Sequence, residues 1–430
     1  MEEIKFNYKT NITQKQLKEI EKKLSPAIDK ILAAQKTGYN SDYCSVNLPN
    51  DKKYFNLIKK IIDKKIKYKP KAIVIAGIGG SSLGPQAIYL ALKEKTTIEC
   101  IFADTIEPQY TNEILQKIEK ILKANNEIIL AVISKSGTTT ETLVNGSLIL
   151  DLLKKLRPKN YKDFIVTITD EDSKLETVAI ENKIDNLSVP QLVGGRYSVF
   201  SSVGLFPLGI LNFDIEKLLN GAKKGIDLSL QKKLDKNLAA LSAAIIYLEY
   251  KDKKNIHDTY IFNPELATLG AWYRQLMGES LGKQKDLKGK TVNVGITPTV
   301  SIGTNDLHSV TQLYLAGPAD KTTTFINSPA QSDKIKISKN IFSQINPQII
   351  NKSVGFIHDA IFEGVIKAYE RKKRPYISIT LPELNEYYLG QLMQIKMIEM
   401  MFLGHLLNIN PFNQPEVELY KQETRRILSL

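Results

Sequence analysis

The chain has 430 residues, 43% hydrophobic and 24% charged, with a formal net charge of +13 at pH 7. This composition excludes a disordered or fibrous chain and leaves room for more than one α/β core. Its longest apolar runs, Leu238–Tyr250 and Met397–Ile409, are too short to cross a bilayer.

Residues 1–70 read as Lys-rich amphipathic helices, as over Gln16–Ala34, interrupted at Ser25-Pro26. The first ten residues alternate Glu and Lys without the apolar core of a signal peptide. Strands and helices then alternate from Ala72 to about Pro190. The β-branched runs Ala72–Ala76 and Ile128–Ile133 predict parallel strands buried on both faces, and Phe164–Thr169 and a strand ending near Pro190 continue the series. A doubly wound parallel sheet is expected. A second α/β unit is expected from Ile215 to Leu381, with strands near Asp258–Phe262, Thr291–Ile296, Thr322–Ile326 and Tyr376–Thr380. The segment Glu383–Leu407 is apolar nearly all round, hence buried. Asn408–Pro415 reads as a loop before a final helix. The predicted division is a helical segment 1–70, α/β domains 71–214 and 215–382, and a helical arm 383–430. No low-complexity linker separates them, so tight packing is expected.

Cys44 and Cys100 are the only cysteines, which argues for a reducing compartment, and a cytoplasmic location is expected. The lysines are spread over helix faces, and the one compact basic run, Arg371–Arg374, has little aromatic company. Neither a nucleic-acid nor a membrane partner is expected. A positive field also attracts phosphorylated metabolites.

Two loops carry the strongest signal: Gly77-Ile78-Gly79-Gly80-Ser81-Ser82-Leu83-Gly84 and Ser134-Lys135-Ser136-Gly137-Thr138-Thr139-Thr140-Glu141. Each joins an apolar strand to a helix. There, unpaired helix N–H groups, the positive end of the macrodipole and clustered hydroxyls converge, which suits a dianionic phosphoryl group. The dinucleotide fingerprint fails because Ser82 occupies the third glycine position, although Asp104 lies where a ribose-binding acid belongs. The Walker pattern fails because Pro85 replaces its lysine.

Four ionisable residues stand in unusual settings, and each has a plain alternative. Glu279 follows Trp272 by seven residues in the helix Pro264–Gly282, about 20° off its direction, and is expected to face inward as a desolvated carboxylate with raised pKa. The alternative is a frayed last turn. His308 is placed in the first turn of a helix capped by Thr304 or Asn305, where the macrodipole favours neutral imidazole; the alternative is a solvated side chain. Arg196 follows Gly194-Gly195 ahead of an expected helix Ser198–Leu205, suited to a developing anion or simply a surface residue. Lys421 falls on the stripe Val417, Lys421, Thr424, Leu428, the expected buried side of the final helix, where snorkelling is the alternative. His257, His358 and His405 have no carboxylate or Cys at metal-ligand spacing, so no metal is expected.

The blocks Gly194-Gly195-Arg196-Tyr197-Ser198, Met277–Lys283, Gly303–His308 and Pro411–Lys421 resemble the signatures of the glucose-6-phosphate isomerase family, in family order, across about residues 70–425. The resemblance implies two flavodoxin-like sugar-isomerase (SIS) domains, each a parallel sheet between helices, with a C-terminal arm. It implies interconversion of glucose 6-phosphate and fructose 6-phosphate in glycolysis and gluconeogenesis, through ring opening and an enediolate, without metal or organic cofactor. Carried across, Ser134, Ser136 and Thr139, with the backbone near Lys135, hold the phosphate, and Gly80 and Ser81 line the sugar. Glu279 is the base, with Glu265 as its rival; His308 and Lys421 assist ring opening, Arg196 stabilises the enediolate, and Gln414 contacts substrate. A homodimer is implied, with His308 reaching into the partner's site. Gln191 and Glu416 depart from the family pattern, and a carboxylate at 416 near a phosphate would repel it. A non-catalytic sugar-phosphate regulator and an isomerase tolerating mannose 6-phosphate are the alternatives.

Overall fold

The computed structural model describes residues 2–329 and 334–430. The first element corrects the expectation of a wholly helical start: β1 (Lys5–Lys9) is a strand. Helix α1 (Gln14–Ala34) opens on a reciprocal capping box between Thr13 and Gln16 and runs on through Pro26. The expected interruption is absent because Leu24, Ala27, Ile28 and Ile31 bury both halves of the helix in one core. Burying each large side chain contributes about 1.5–3 kcal/mol, which together outweigh the roughly 3 kcal/mol cost of an internal proline. Helix α2 (Lys52–Ile66) is capped by Asp51.

The first sheet follows: β2 (Ala72–Ala76), α3 (Leu83–Leu92), β3 (Glu99–Ala103), α4 (Pro108–Lys123), β4 (Ile128–Ile133), α5 (Thr140–Leu156), β5 (Ile165–Asp170), α6 (Lys174–Glu181) and β6 (Asp185–Val189). Its strands are parallel in the order β3-β2-β4-β5-β6. This is the flavodoxin arrangement, and every residue of β2 and β4 is buried, as strands covered on both faces must be.

Helices α7 (Ser202–Ile210), α8 (Ile215–Ser229) and α9 (Leu238–Lys251) lead to the second sheet. It is built from β7 (Ile256–Ile261), α10 (Ala267–Leu281), a ribbon of β8 (Lys283–Lys285) and β9 (Thr291–Val294), then β10 (Thr297–Ile302), α11 (Thr311–Ala316), β11 (Lys321–Asn327), α12 (Val354–Arg371) and β12 (Tyr376–Thr380). Strands β10-β7-β11-β12 are parallel in the same relative order, and β1 fills the fifth place antiparallel to β12. The expected strand at Thr291–Ile296 is corrected. Its residues pair antiparallel with β8, outside the sheet, and the sheet strand begins at Thr297. Pro298 is accommodated because β10 is an edge strand.

Helix α13 (Glu386–Leu406) is buried along nearly its whole length and packs on α8, α9, α10 and α1. One apolar cluster therefore includes residues from both sheets. Helix α14 (Val417–Leu428) buries no residue. No described helix is long and apolar enough to cross a membrane.

Two charges sit inside that cluster. Lys396 and Glu399 of α13 pair at 2.8 Å, both almost fully buried, and Tyr273 of α10 donates its hydroxyl to Glu399 at 2.5 Å. The Lys396 ammonium also lies 4.8 Å from the Tyr273 ring centroid. A buried pair of this kind is stable only while both members are present. Lys396→Met is expected to lower unfolding free energy by about 3–5 kcal/mol in chemical denaturation, and a loss below about 1 kcal/mol contradicts the pairing.

Candidate active site

The strand order of the first sheet reverses between the parallel neighbours β2 and β4, so the loops leaving their carboxyl ends flank the crevice where open α/β sheets bind ligands. After β2 the chain makes a 3-10 turn, Gly79–Ser81, with Gly79 at φ +60°. A Cβ on Gly80 would lie 2.3 Å from the Gly195 carbonyl carbon, so only glycine lets this turn meet the one carrying Arg196. After β4, Ser134 is buried, with its hydroxyl 2.8 Å from that of Thr139. The Ser136 hydroxyl accepts from the Thr138 N–H at 3.3 Å. Thr139 precedes α5 without capping it through its side chain, so the helix start keeps unpartnered N–H groups among hydroxyls. Lys135 donates to the Gln191 carbonyl at 2.6 Å and lies 3.9 Å from Asp170. Burial pushes Asp170 up to about 6 despite that cation.

Helix α14 lies over this hydroxyl loop. A cavity of about 160 Å³ is lined by Ser136, Thr139 and Thr140 on one side and by Glu418, Lys421 and Arg425 on the other. The expectation that Lys421 lies on a buried face is corrected: its side chain is 39% exposed and pairs with Glu418 at 2.7 Å. Of its stripe, Lys421 and Thr424 line this cavity, Val417 lines the cavity beside Glu279, and Leu428 is exposed.

Arg196 is the most constrained group. It lies in a 3-10 turn, Gly195–Tyr197, and the following helix begins at Ser202, four residues later than expected, because Ser201 caps it. The guanidinium is 1% exposed, which removes the surface alternative. Nε donates to Ser280 Oγ at 2.9 Å; Nη1 donates to Glu279 Oε2 at 3.0 Å and Gln414 Oε1 at 2.8 Å; Nη2 donates to the carbonyls of Pro411 at 2.6 Å and Asn413 at 3.3 Å. The five contacts match the five donors of arginine.

Glu279 takes a second hydrogen bond, from Gln275 Nε2 at 3.0 Å. It faces a cavity of about 520 Å³ that Gly278, Lys283, Asn413, Gln414 and Glu416 also line. The direction inferred from helical spacing holds, but the expected desolvation does not. The last turn of α10 is packed through Met277, Ser280 and Leu281, but Glu279 opens onto the cavity, which leaves its side chain one-third exposed and paired with arginine. Glu416 lines this cavity and not the hydroxyl-lined one, whose carboxylates are Glu141 and Glu418.

His308 is not brought to these residues within the chain. It follows a 3-10 turn, Asn305–Leu307, is exposed, and lies outside the lining of both cavities. The expected helix N-terminus is absent: Thr304 caps nothing, and Asp306 instead accepts from the Ile302 N–H at 2.6 Å. Helix α11 begins only at Thr311, so His308 precedes it and does not lie in its first turn. Among the described residues, no three His, Cys, Asp or Glu side chains group as metal ligands.

Gln275, Ser280, Lys283 and Asn413 were not singled out by sequence. The i, i+4 spacing of Gln275 and Glu279 along one helix face, continued by Lys283 four residues on, was an available signal. Burial pushes the Lys283 ammonium down to about 8, with Arg196 reinforcing and Glu279 opposing the shift.

The family model described as phosphoglucose isomerase matches residues 60–430. A glucose-6-phosphate isomerase of Methanocaldococcus jannaschii is 38% identical over 357 residues, covering 83% of this chain and 84% of that protein. One of Carboxydothermus hydrogenoformans is 32% identical, covering 85% and 80%. A solved structure of a hypothetical protein from Thermus thermophilus superposes with TM-score 0.88 at 28% identity over 99% of this chain and 100% of the other. That of a glucose-6-phosphate isomerase from Chlamydia trachomatis shares the fold, with TM-score 0.84 at 20% identity, over 99% and 88%. The chain belongs to the phosphoglucose isomerase family.

Proposed function

We propose that this protein interconverts glucose 6-phosphate and fructose 6-phosphate in the cytoplasm, as a step of glycolysis and gluconeogenesis. The observation that carries the reading is the Glu279 carboxylate, held between the Gln275 amide and a fully engaged Arg196 at a cavity wall, in a chain of this family. Aldose–ketose isomerisation needs a carboxylate to move a proton between C1 and C2, positive charge beside the enediolate oxygens, groups that open the ring, and an anchor for the phosphate.

In this reading Glu279 moves the proton. Arg196 supplies the charge, acting beside the reacting atoms while its hydrogen bonds hold Glu279 and Gln414 in place. The Ser134, Lys135, Ser136 and Thr139 loop takes the phosphate at the start of α5, Gly80 and Ser81 border the sugar, and Gln414 contacts it. Lys421, on the helix above the hydroxyl loop, assists ring opening. His308 acts from a second subunit, which accounts for its distance from the other groups within one chain. The domain boundaries at 70, 214 and 382, and a homodimer without nucleic-acid or membrane partners, are part of the same proposal.

A coupled assay that supplies fructose 6-phosphate and detects glucose 6-phosphate, with chelator present, tests the reading directly. The wild type is expected to turn over, and Glu279→Gln to keep substrate binding while losing at least about a hundredfold in kcat. Binding without turnover by the wild type would identify a sugar-phosphate sensor instead.

Subunit mixing tests the shared site. When Glu279→Gln and His308→Ala chains are dissociated and reassembled together, half of the dimers are mixed and each has one intact site. Activity is then expected to recover to roughly a quarter of wild type under C₂ symmetry. No recovery, with mixed dimers verified by mass, would place His308 in its own chain's site or outside the chemistry.

A further inference from the structure

Lys283 lies one helical turn beyond Glu279, where α10 ends and β8 begins. It is 9% exposed, yet among the described residues its ammonium contacts no carboxylate. Instead it donates to the main-chain carbonyl of Glu279 at 2.5 Å and to that of Asn413 at 2.8 Å. The Asn413 carbonyl also accepts from Arg196 at 3.3 Å. Two buried cations therefore share one acceptor on the loop before α14. An apolar side chain of similar volume would fill this space without desolvating a charge beside a guanidinium. The arrangement makes sense as a tie close to Glu279 between two segments that Arg196 also bridges and that the Leu287–Asn408 and Asp286–Asn408 hydrogen bonds join further along.

Resting on the isomerase reading above, we propose that Lys283 is a positioning residue: it fastens the backbone of Glu279 to that of Asn413, and so keeps the Glu279 carboxylate and the Gln414 amide at a fixed separation on Arg196. A displacement of about 1 Å at reacting groups can lower a rate by about a hundredfold, so such a tie acts on kcat more than on binding. The charged groups around it are Arg196 from the turn after β6, Glu279 of α10, Lys285 of β8, Asp286 just beyond it, and Glu416 before α14. Because burial holds Lys283 at about 8, the charged tie is present below that pH and weakens as pH rises through it. The substrate phosphate, with a second pKa of about 6, is already dianionic there and does not mask the transition.

The experiment uses the full-length protein and the variants Lys283→Met and Lys283→Arg. It measures kcat, KM and kcat/KM from about pH 6 to about pH 10, and backbone hydrogen exchange of Phe412, Asn413 and Gln414. Lys283→Met is expected to lose at least about tenfold in kcat with little change in KM, and to exchange faster at those amides. Lys283→Arg, whose charge persists, is expected to recover most of kcat and to lack the fall in kcat/KM expected of the wild type above about pH 8. Wild-type kcat in the methionine variant overturns the proposal, as does an unchanged alkaline limb in the arginine variant. If the wild type turns over neither sugar, the isomerase reading fails on its own, and unchanged exchange in Lys283→Met then overturns the tie separately.

Discussion

A buried guanidinium with five donors must find five acceptors, and in this fold the only way to supply them is to bring distant segments together. Arg196 takes Ser280 and Glu279 from the end of α10 and Pro411, Asn413 and Gln414 from the loop before α14. Leaving such donors unmet in a buried site costs about 1–3 kcal/mol each, and more for a charged group. The cavity beside Glu279 is the space left once that requirement is met.

The surrounding packing holds Arg196 in place. Gly80 abuts Gly195 from the loop after β2, so the crevice of the first sheet and the arginine turn are in contact. Tyr197 packs against Phe412, with ring centroids 5.6 Å apart, and its hydroxyl lies 3.0 Å from Ser280, which also serves Arg196. Helix α10 is fixed in turn by Tyr273 against the buried Lys396–Glu399 pair. The position of the Glu279 carboxylate therefore depends on contacts from the first sheet, the second sheet and the C-terminal segment together.

Much of the fold was legible because buried parallel strands write themselves as short β-branched runs, as in Ala72–Ala76 and Ile128–Ile133. The misses follow from tertiary context. Lys5–Lys9 alternates polar and apolar residues weakly and becomes a strand only because β12 offers an edge. Pro298 disguised an edge strand, and Pro26 suggested a break that burial of α1 overrides. For the candidate site, the hydroxyl loops were evident from local chemistry. Burial of Arg196 and Lys283 was not, since it depends on carbonyls more than a hundred residues away, at positions 411 and 413. Exposure of Lys421 was misjudged because an amphipathic stripe reports which face is apolar, not what that face meets.

Arg196→Lys tests most directly whether the arginine fork organises the site. Lysine keeps the positive charge but cannot reproduce a planar fork reaching several acceptors at once. If the fork is the organising constraint, the variant folds and still binds the sugar phosphate through its hydroxyl loop, while kcat falls by at least about a hundredfold. A folded Arg196→Lys enzyme with near wild-type kcat would show that charge alone suffices, contradicting the account.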